Sequence, residues 1–500
     1  MGRTFSERRF EAARRFVADA YAGADAIKDA KGDLGFFGSR AFFYLPPTER
    51  EASEEEKFAN EPARRTKYRT RLAYGVYDNF FRSIIDDVVG VMQTKAPTVQ
   101  FCADGDLNAA PDVLRDLYYF GTSQNDGFSG LKQRVNFGQT LFGRYGLLLD
   151  VATDAEGLNP RFVVSEYPAA SILDGEETRE RFGTSRLRWI LCDESAPRFN
   201  PRTKSRDWVE RYRLCALDGR GVYYQALFDG DASAKWNAFD LENPNAALCD
   251  RLVYPSFKGR TLDFVPFTVA NVDRLGVEAR QAPPYWDVAR IAVANYQIDS
   301  IYKTALWNFA SPTLVVKNVA STGAPLYLGD AIFLNGASGD GADAALLETT
   351  GAGLAEIRQA KEEIKTSLRF SSIRDLFDGG GANASAKALS LRADSGTATI
   401  ATIDKTGARA LEEQLCFAAA WLGWSRDEIA ANVKYEANAS YLADDFQLPA
   451  IVSLMRENGA TGTPLLSRRQ LYRLVGVASG GVLDPFEDNE EQLLAEADAL

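Results

Sequence analysis

Apolar residues recur at three- and four-residue steps along several stretches of this 500-residue chain, and each stretch predicts a helix buried on one side. The strongest is YGVYDNFFRSIIDDVVGVMQTKAP. There Tyr77, Phe80, Phe81, Ile84, Ile85, Val88 and Met92 share a face, and Pro97 stops the run. Asp86 and Asp87 fall on its polar side and read as structural, not catalytic. Upstream, ERRFEAARRFVADAYAGADAIKDA predicts an amphipathic helix followed by a charged connector through Pro62. A helix from Gly127 carries Phe128, Leu131, Val135 and Phe142 and ends at GRYG, where LLLDV starts a strand.

From about 160 to 275 the chain reads as β, with RFVVSEYP, RLRWILCD and WVERYRLCALDGRGVYYQALFD rich in β-branched and aromatic residues. The last predicts a hairpin turning at Asp218-Gly219, with Trp208, Tyr212, Tyr223 and Tyr224 packing in the sheet. Helix returns between Pro283–Pro284 and Pro312, where a missing N–H is tolerated at either end. Ile291, Ala294, Ile298, Ile301, Ala305 and Phe309 form one stripe, while Val288, Ala292, Tyr296, Leu306 and Trp307 populate other faces. A helix apolar around its circumference packs on more than one side, and this one runs roughly 40 Å. Short strands with Gly-Asp turns follow. Next comes GLAEIRQAKEEIKTSLRF, with Leu354, Ile357, Ile364 and Leu368 inward and Glu356, Arg358, Lys361, Glu362, Glu363 and Lys365 outward. A further helix is ATIDKTGARALEEQLCFAAAWLGWS.

This order implies an α+β chain of several parts, too long for one compact core. Composition narrows the chemistry. There is no histidine, which removes Ser-His-Asp and Cys-His nucleophile pairs and most zinc sites. The five cysteines are scattered without metal-ligand spacing, so neither a metal nor a cofactor is expected. No apolar run is long enough to span a bilayer, so no membrane partner is expected, and the start lacks the apolar core of a signal peptide. A net charge of −12 argues against a basic, groove-clamping DNA binder. The last residues, from Asp484, are strongly acidic and read as a solvated tail.

One stretch stands apart: RDLFDGGGANASAKALS, from Arg374 to Ser390. A phosphate-cradling loop needs Gly, four residues, then Gly-Lys-Ser/Thr after a strand. Here Lys387 lies between Ala386 and Ala388, a helix precedes the loop, and Gly379, Gly380 and Gly381 are adjacent instead of spaced. Nucleotide hydrolysis is thereby excluded. A glycine-rich excursion between helices costs chain entropy and reads either as a surface connector or as a segment whose mobility is used.

In the order of its pieces the chain resembles the portal proteins of tailed bacteriophages, in particular a family of about this length long catalogued as a domain of unknown function. The resemblance is carried by KYRTRLAYGVYDNFFRSIIDDVVGVMQTKAPTV, by GRYGLLLDV and EYPAASILD, and by PPYWDVARIAVANYQIDSIYKTALWNFASPTLVV. LETTGAGLAEIRQAKEEIK and LLSRRQLYRLVGVASGGVLDPFEDNEEQ continue it. The match covers roughly residues 60 to 495 and rests on order and spacing, since each motif is made of packing and turn residues. Residues 1–60 have no clear counterpart, and the segment SGTATIATIDKTG is unusually Thr-rich.

The resemblance implies an elongated, multi-part subunit in a ring, usually of twelve copies, at one capsid vertex through which double-stranded DNA enters and leaves. It divides the chain into an N-terminal helix and connector (1–60), a wing (61–282), a first stem helix (283–312) and a clip (313–350). A second stem helix (351–377), a tunnel loop (378–395), its helix (396–425) and a crown with acidic tail (426–500) follow. The DNA-facing tunnel loop would be Asp378, Gly379, Gly380, Gly381, Asn383 and Ser385, with Lys387 and Arg392 as the nearest cations touching phosphates without reading sequence. Leu326, Tyr327, Asp330, Phe333 and Asp340 of the clip would meet the terminase large subunit and the head–tail connector. Tyr296, Ile298, Tyr302, Leu306 and Trp307 would pack between neighbouring stems. Major capsid and scaffolding proteins are further implied partners, in the virion at the portal vertex and in the host cytoplasm during assembly. Two other readings stand beside it. One is another connector or scaffold-like virion protein. The other is a histidine-free carboxylate hydrolase using Glu362–Glu363 or Asp444–Asp445.

Overall fold

The N-terminal residues build helices of their own. Helix α1 (Glu11–Ala22) is followed by α2 (Ala24–Ile27), α3 (Arg40–Tyr44) and α4 (Glu49–Lys57). The stretch expected as a charged connector is helical because Thr48 and Glu51 cap α4 reciprocally, each side chain accepting the other's backbone N–H. Helices α5 (Lys67–Tyr74) and α6 (Phe80–Met92) come next. The computed structural model describes residues 10–29, 38–61, 66–101, 111–122, 124, 126–153, 160–179, 185–278, 281–310, 313–317, 332–334, 343–347, 352–370 and 386–437.

Helix α6 is buried on two sides. Phe81, Ile85 and Val89 pack with Val17 and Ala20 of α1, whereas Ile84, Val88 and Met92 pack with Val272, Ile400 and Ile403. Phe80, expected on the same face, lies outside both groups and is exposed. Strand β1 (Thr98–Gln100) and helices α7 (Asp112–Phe120) and α8 (Gly127–Phe142) follow. Helix α8 stops where Gly143 takes a left-handed φ of 83°, and the chain passes straight into strand β2 (Arg144–Ala152). The GRYG signal is therefore a helix C-cap.

Strands β3 (Arg161–Pro168), β4 (Ile172–Arg179) and β5 (Ser185–Asp193) continue the β region, followed by β6 (Ala196–Asn200), β7 (Ser205–Val209), β8 (Arg211–Leu217) and β9 (Tyr223–Asp229). Helix α9 (Ala232–Ala238) and strands β10 (Arg251–Val253) and β11 (Phe267–Asn271) complete it. A five-stranded antiparallel sheet has the order β10-β9-β8-β5-β4, and a three-stranded one the order β11-β2-β3. The expected hairpin is β8–β9, closed by Asp218, which accepts the backbone N–H of Arg220 and Val222. Trp208 is not part of it. That residue sits on a separate ribbon, β6–β7, and is 70% exposed, because the chain leaves the sheet between β5 and β8.

Helix α10 (Trp286–Ala310) leads to strands β12 (Thr313–Lys317), β13 (Ile332–Leu334) and β14 (Asp343–Leu347). In this sheet β12 lies between β13, parallel to it, and β14, antiparallel. Helix α11 (Ala352–Phe370) then packs along α10. The longest helix, α12 (Ala386–Leu422), and the short α13 (Arg426–Asn432) precede strand β15 (Lys434–Glu436), which pairs with β1. One expected boundary moves. Helix α12 begins at Ala386, within the stretch read as a loop to residue 395. Residues 408–435, read as tunnel-loop helix and crown, supply the middle of the main core. There Ala408, Leu411, Leu415, Trp421 and Tyr435 meet Leu147, Leu149 and Phe162 of β2 and β3 and Leu131 of α8.

Candidate functional site

Helix α10 changes character along its length. Ala289, Ala292, Val293 and Tyr296 are buried against α1, α5 and α6, while Ile301, Leu306 and Trp307 are exposed. Ile298 and Tyr302 are half-buried. Tyr296 was expected at a subunit boundary, yet it is wholly buried in its own chain, its ring 6.1 Å from that of Tyr77. The N-terminal helices cover the side of α10 that sequence reading left open. Trp307 is 57% exposed with one face stacked on Tyr74, at 5.4 Å between centroids.

The junction of α10 and α11 turns on one buried carboxylate. Asp299 accepts the backbone N–H of Val76 at 3.0 Å and the ammonium of Lys303 at 2.9 Å, and it is also ion-paired with Lys361 of α11. Burial alone would raise the Asp299 pKa, but the bonds from Lys361, Val76 and Lys303 hold it below the usual carboxylate value. Lys361 was expected outward. It lies on the same stripe as Leu354, Ile357 and Ile364, because three- and four-residue steps lead to position 361, and it is half-buried over the ring of Tyr302. Lys28 stands close by and donates to the carbonyl of Gly75. Burial, followed by the nearby Lys303 charge, lowers its pKa.

Helix α12 is seated by a buried polar network. Lys132 of α8 bonds Asp404 at 2.9 Å and the carbonyl of Met92 at 3.0 Å, and Asn136 donates to the same carboxylate at 2.8 Å. Gln414 donates to Thr268 and to the carbonyl of Leu147, and Gln139 to that of Asn271. Gly407 lets the two helices meet. A Cβ there would stand 2.4 Å from Asn136 Oδ1 and 2.8 Å from Gln139 Oε1. Within the Thr-rich stretch Thr402 and Thr406 turn their hydroxyls back onto the carbonyls of Ala398 and Thr402, four residues earlier on the same helix.

The remaining expected residues fall as follows. Asp378, Gly379, Gly380, Gly381, Asn383 and Ser385 lie outside the described residues, as do Leu326, Tyr327, Asp330 and Asp340. Phe333 is the middle residue of the three-residue edge strand β13. Lys387 and Arg392 are within α12, not in a loop. Glu362 and Glu363 are exposed on α11 and bond Lys365 and Gln359, while Asp444 and Asp445 lie outside the described residues. Asp86 accepts from the Tyr21 hydroxyl and pairs with Arg82, a surface role.

A groove of about 720 Å³ opens between α12, β11 and the segment 424–429, lined by Phe264, Phe417, Trp424, Glu413 and Cys416 among others. Burial pushes the Cys416 thiol up to about 12 and raises the Glu413 carboxyl, partly offset by the hydrogen bond from Thr268. A thiol so held is not a ready nucleophile. Among the described residues no group of three acidic or cysteine side chains is placed to hold a metal ion, and no helix is long and apolar enough to cross a membrane.

A family model described as a domain of unknown function, DUF4055, matches residues 284–422. It begins just before α10 and stops at Leu422, the last residue of α12. No curated protein matches the chain. Among solved structures, a chain in the neck of an empty gene transfer agent particle, computed with C6 symmetry, is 14% identical with a TM-score of 0.38. The alignment covers 86% of this chain and 94% of that one. A chain from the virion of a native gene transfer agent particle is 12% identical, with TM-score 0.37 and the same coverages.

Proposed function

We propose that this chain is a portal-type subunit, one copy in a ring of about a dozen at a capsid vertex, through which double-stranded DNA is packaged and later ejected. The order of elements carries the reading. The chain leaves its main body along α10, builds the small sheet β12–β14, returns along the packed α11, and re-enters the core through α12. In such a subunit α10 and α11 are the stem, the sheet is the clip, and residues 378–385 between α11 and α12 face the channel. The clip, with Leu326, Tyr327, Asp330, Phe333 and Asp340, would dock the terminase motor and the connector below. Exposed Ile301, Leu306 and Trp307 spread apolar surface around the C-terminal part of α10, on more than one side, and neighbouring copies would cover it, as exposed apolar patches on assembling proteins are.

Size-exclusion chromatography with light scattering, together with negative-stain imaging, tests it. Annular particles with a central hole wide enough for duplex DNA are expected, and a stable monomer at micromolar concentration would overturn the reading. Deleting Gly379–Ser385 is expected to spare the ring and impair DNA packaging or retention; packaging at the normal level would remove the channel role of that segment.

A further inference from the structure

The ribbon β6–β7 has no role in the reading above. Its base is rigid. Glu194 accepts from Arg213, Arg211 pairs with Asp229, and Ser195 exchanges hydrogen bonds with the backbone of Arg211. Beyond that base every residue from 201 to 208 is exposed. The register places Pro197 opposite Trp208 and Phe199 opposite Arg206, so these four share one face. Trp208 is 70% exposed and Phe199 64%, a large apolar area to leave in water on a two-stranded ribbon. Residues 196–209 carry four cations, Arg198, Arg202, Lys204 and Arg206, against one carboxylate, Asp207, in a chain of net charge −12. None of the four is ion-paired among the described residues, and Asp207 is occupied by Asn200 and Ser205.

The same chain presents the complementary surface. Phe43, at the end of α3, is 68% exposed, and the next helix, α4, carries five glutamates against Arg50 and Lys57. Glu51 and Glu55 are used internally by Arg71 and Arg69, which leaves Glu49 and Glu56 exposed. We propose that the β6–β7 ribbon is an arm that seats on the Phe43–α4 surface of a second copy of this chain. Trp and Arg beside an apolar partner, ringed by opposite charge, are the usual anchors of a protein interface. An arm meeting a different surface on its neighbour makes a head-to-tail contact, which closes into a ring when the rotation allows. The aromatic face favours a protein over duplex DNA, since phosphates would use the cations and leave Trp208 and Phe199 in water. This inference rests on the ring proposed above and deepens it.

The test uses the full chain. With Trp208 replaced by p-benzoylphenylalanine, illumination in the presence of added duplex DNA is expected to join two copies through a peptide from 40–57. Trp208→Ala with Phe199→Ala, and separately Arg202→Glu with Lys204→Glu, are expected to raise the concentration for half-assembly by tenfold or more. Glu49→Lys with Glu56→Lys, added to the second pair, is expected to recover part of that loss. An adduct with the DNA, a cross-link elsewhere on the neighbour, or assembly unmoved by both pairs of substitutions overturns the inference. Rings that form at an unchanged concentration with the arm altered sink the arm alone, whereas a wild-type chain that never forms rings sinks the arm and the portal reading together.

Discussion

Asp299 shows how much one side chain can carry. The residue is 1% exposed, and its carboxylate serves two ammoniums and a backbone N–H on three segments. Replacing it with Ala strands Lys361 and should cost about 3–5 kcal/mol, the range for breaking a buried pair. Lys361→Ala should cost less, because Lys303 and Val76 remain on the carboxylate; chemical denaturation of both variants checks the order. The pH sign follows from the lowered pKa. The folded state holds the ionised form more tightly, so this stabilisation is full above the ordinary Asp value of 3.8 and fades as pH falls through the lower folded value. Melting temperatures between pH 6 and 3 should therefore fall less steeply for Asp299→Asn than for the unaltered chain. Lys361 also shows where single-residue reading fails. A lysine on an apolar stripe looks outward until its counter-charge, on another helix, is known.

At the scale of elements, α8 and α12 make the contact that decides the body. Gly407→Ala should destabilise by about 1–3 kcal/mol, since the new methyl must displace two buried amide oxygens. Gly90→Ala in α6 is the control. Nothing lies within 4 Å of its added Cβ, and it should stabilise by about 0.5–1 kcal/mol. For the buried pair, Asp404→Ala should cost about 3–5 kcal/mol, whereas Lys132→Met combined with Asp404→Leu should recover much of that. Urea denaturation separates all of these. Strongly periodic helices such as α6, α8 and α10 were legible because apolar spacing alone specifies them. Helix α4 was not, since its stability comes from a cap and from ion pairs with Arg69 and Arg71 and not from an apolar face. The start of α12 was hidden by Ser, Gly and Thr, whose helix preference is weak. Trp208 misled for the opposite reason, because its strand pattern is genuine while its sheet is not the one its neighbours form.

For the whole molecule, the proposed ring requires a second copy to cover apolar surface on α10. Ile301 is 48% exposed and makes little use of its own chain, so Ile301→Asp should leave the melting temperature within a few degrees and shift the population toward monomers. Sedimentation velocity reads that shift directly. Full assembly by this variant would place the boundary between copies away from that side of α10. The candidate channel residues 378–385 lie outside the described residues, and their sequence carries little signal of its own. Glycine and small side chains leave no periodic imprint, so their place is argued from what flanks them.

The pairing of β1 with β15 joins Val99 to Tyr435, and Leu147 waits for Leu415. A ribosome adding roughly 5–20 residues per second needs some tens of seconds to travel that far. Through that interval the emerging polypeptide carries an open, greasy hollow where α12 belongs. Newly made chains should therefore depend on chaperones until Trp421 is out of the exit tunnel, and any truncation ahead of it should end in inclusion bodies.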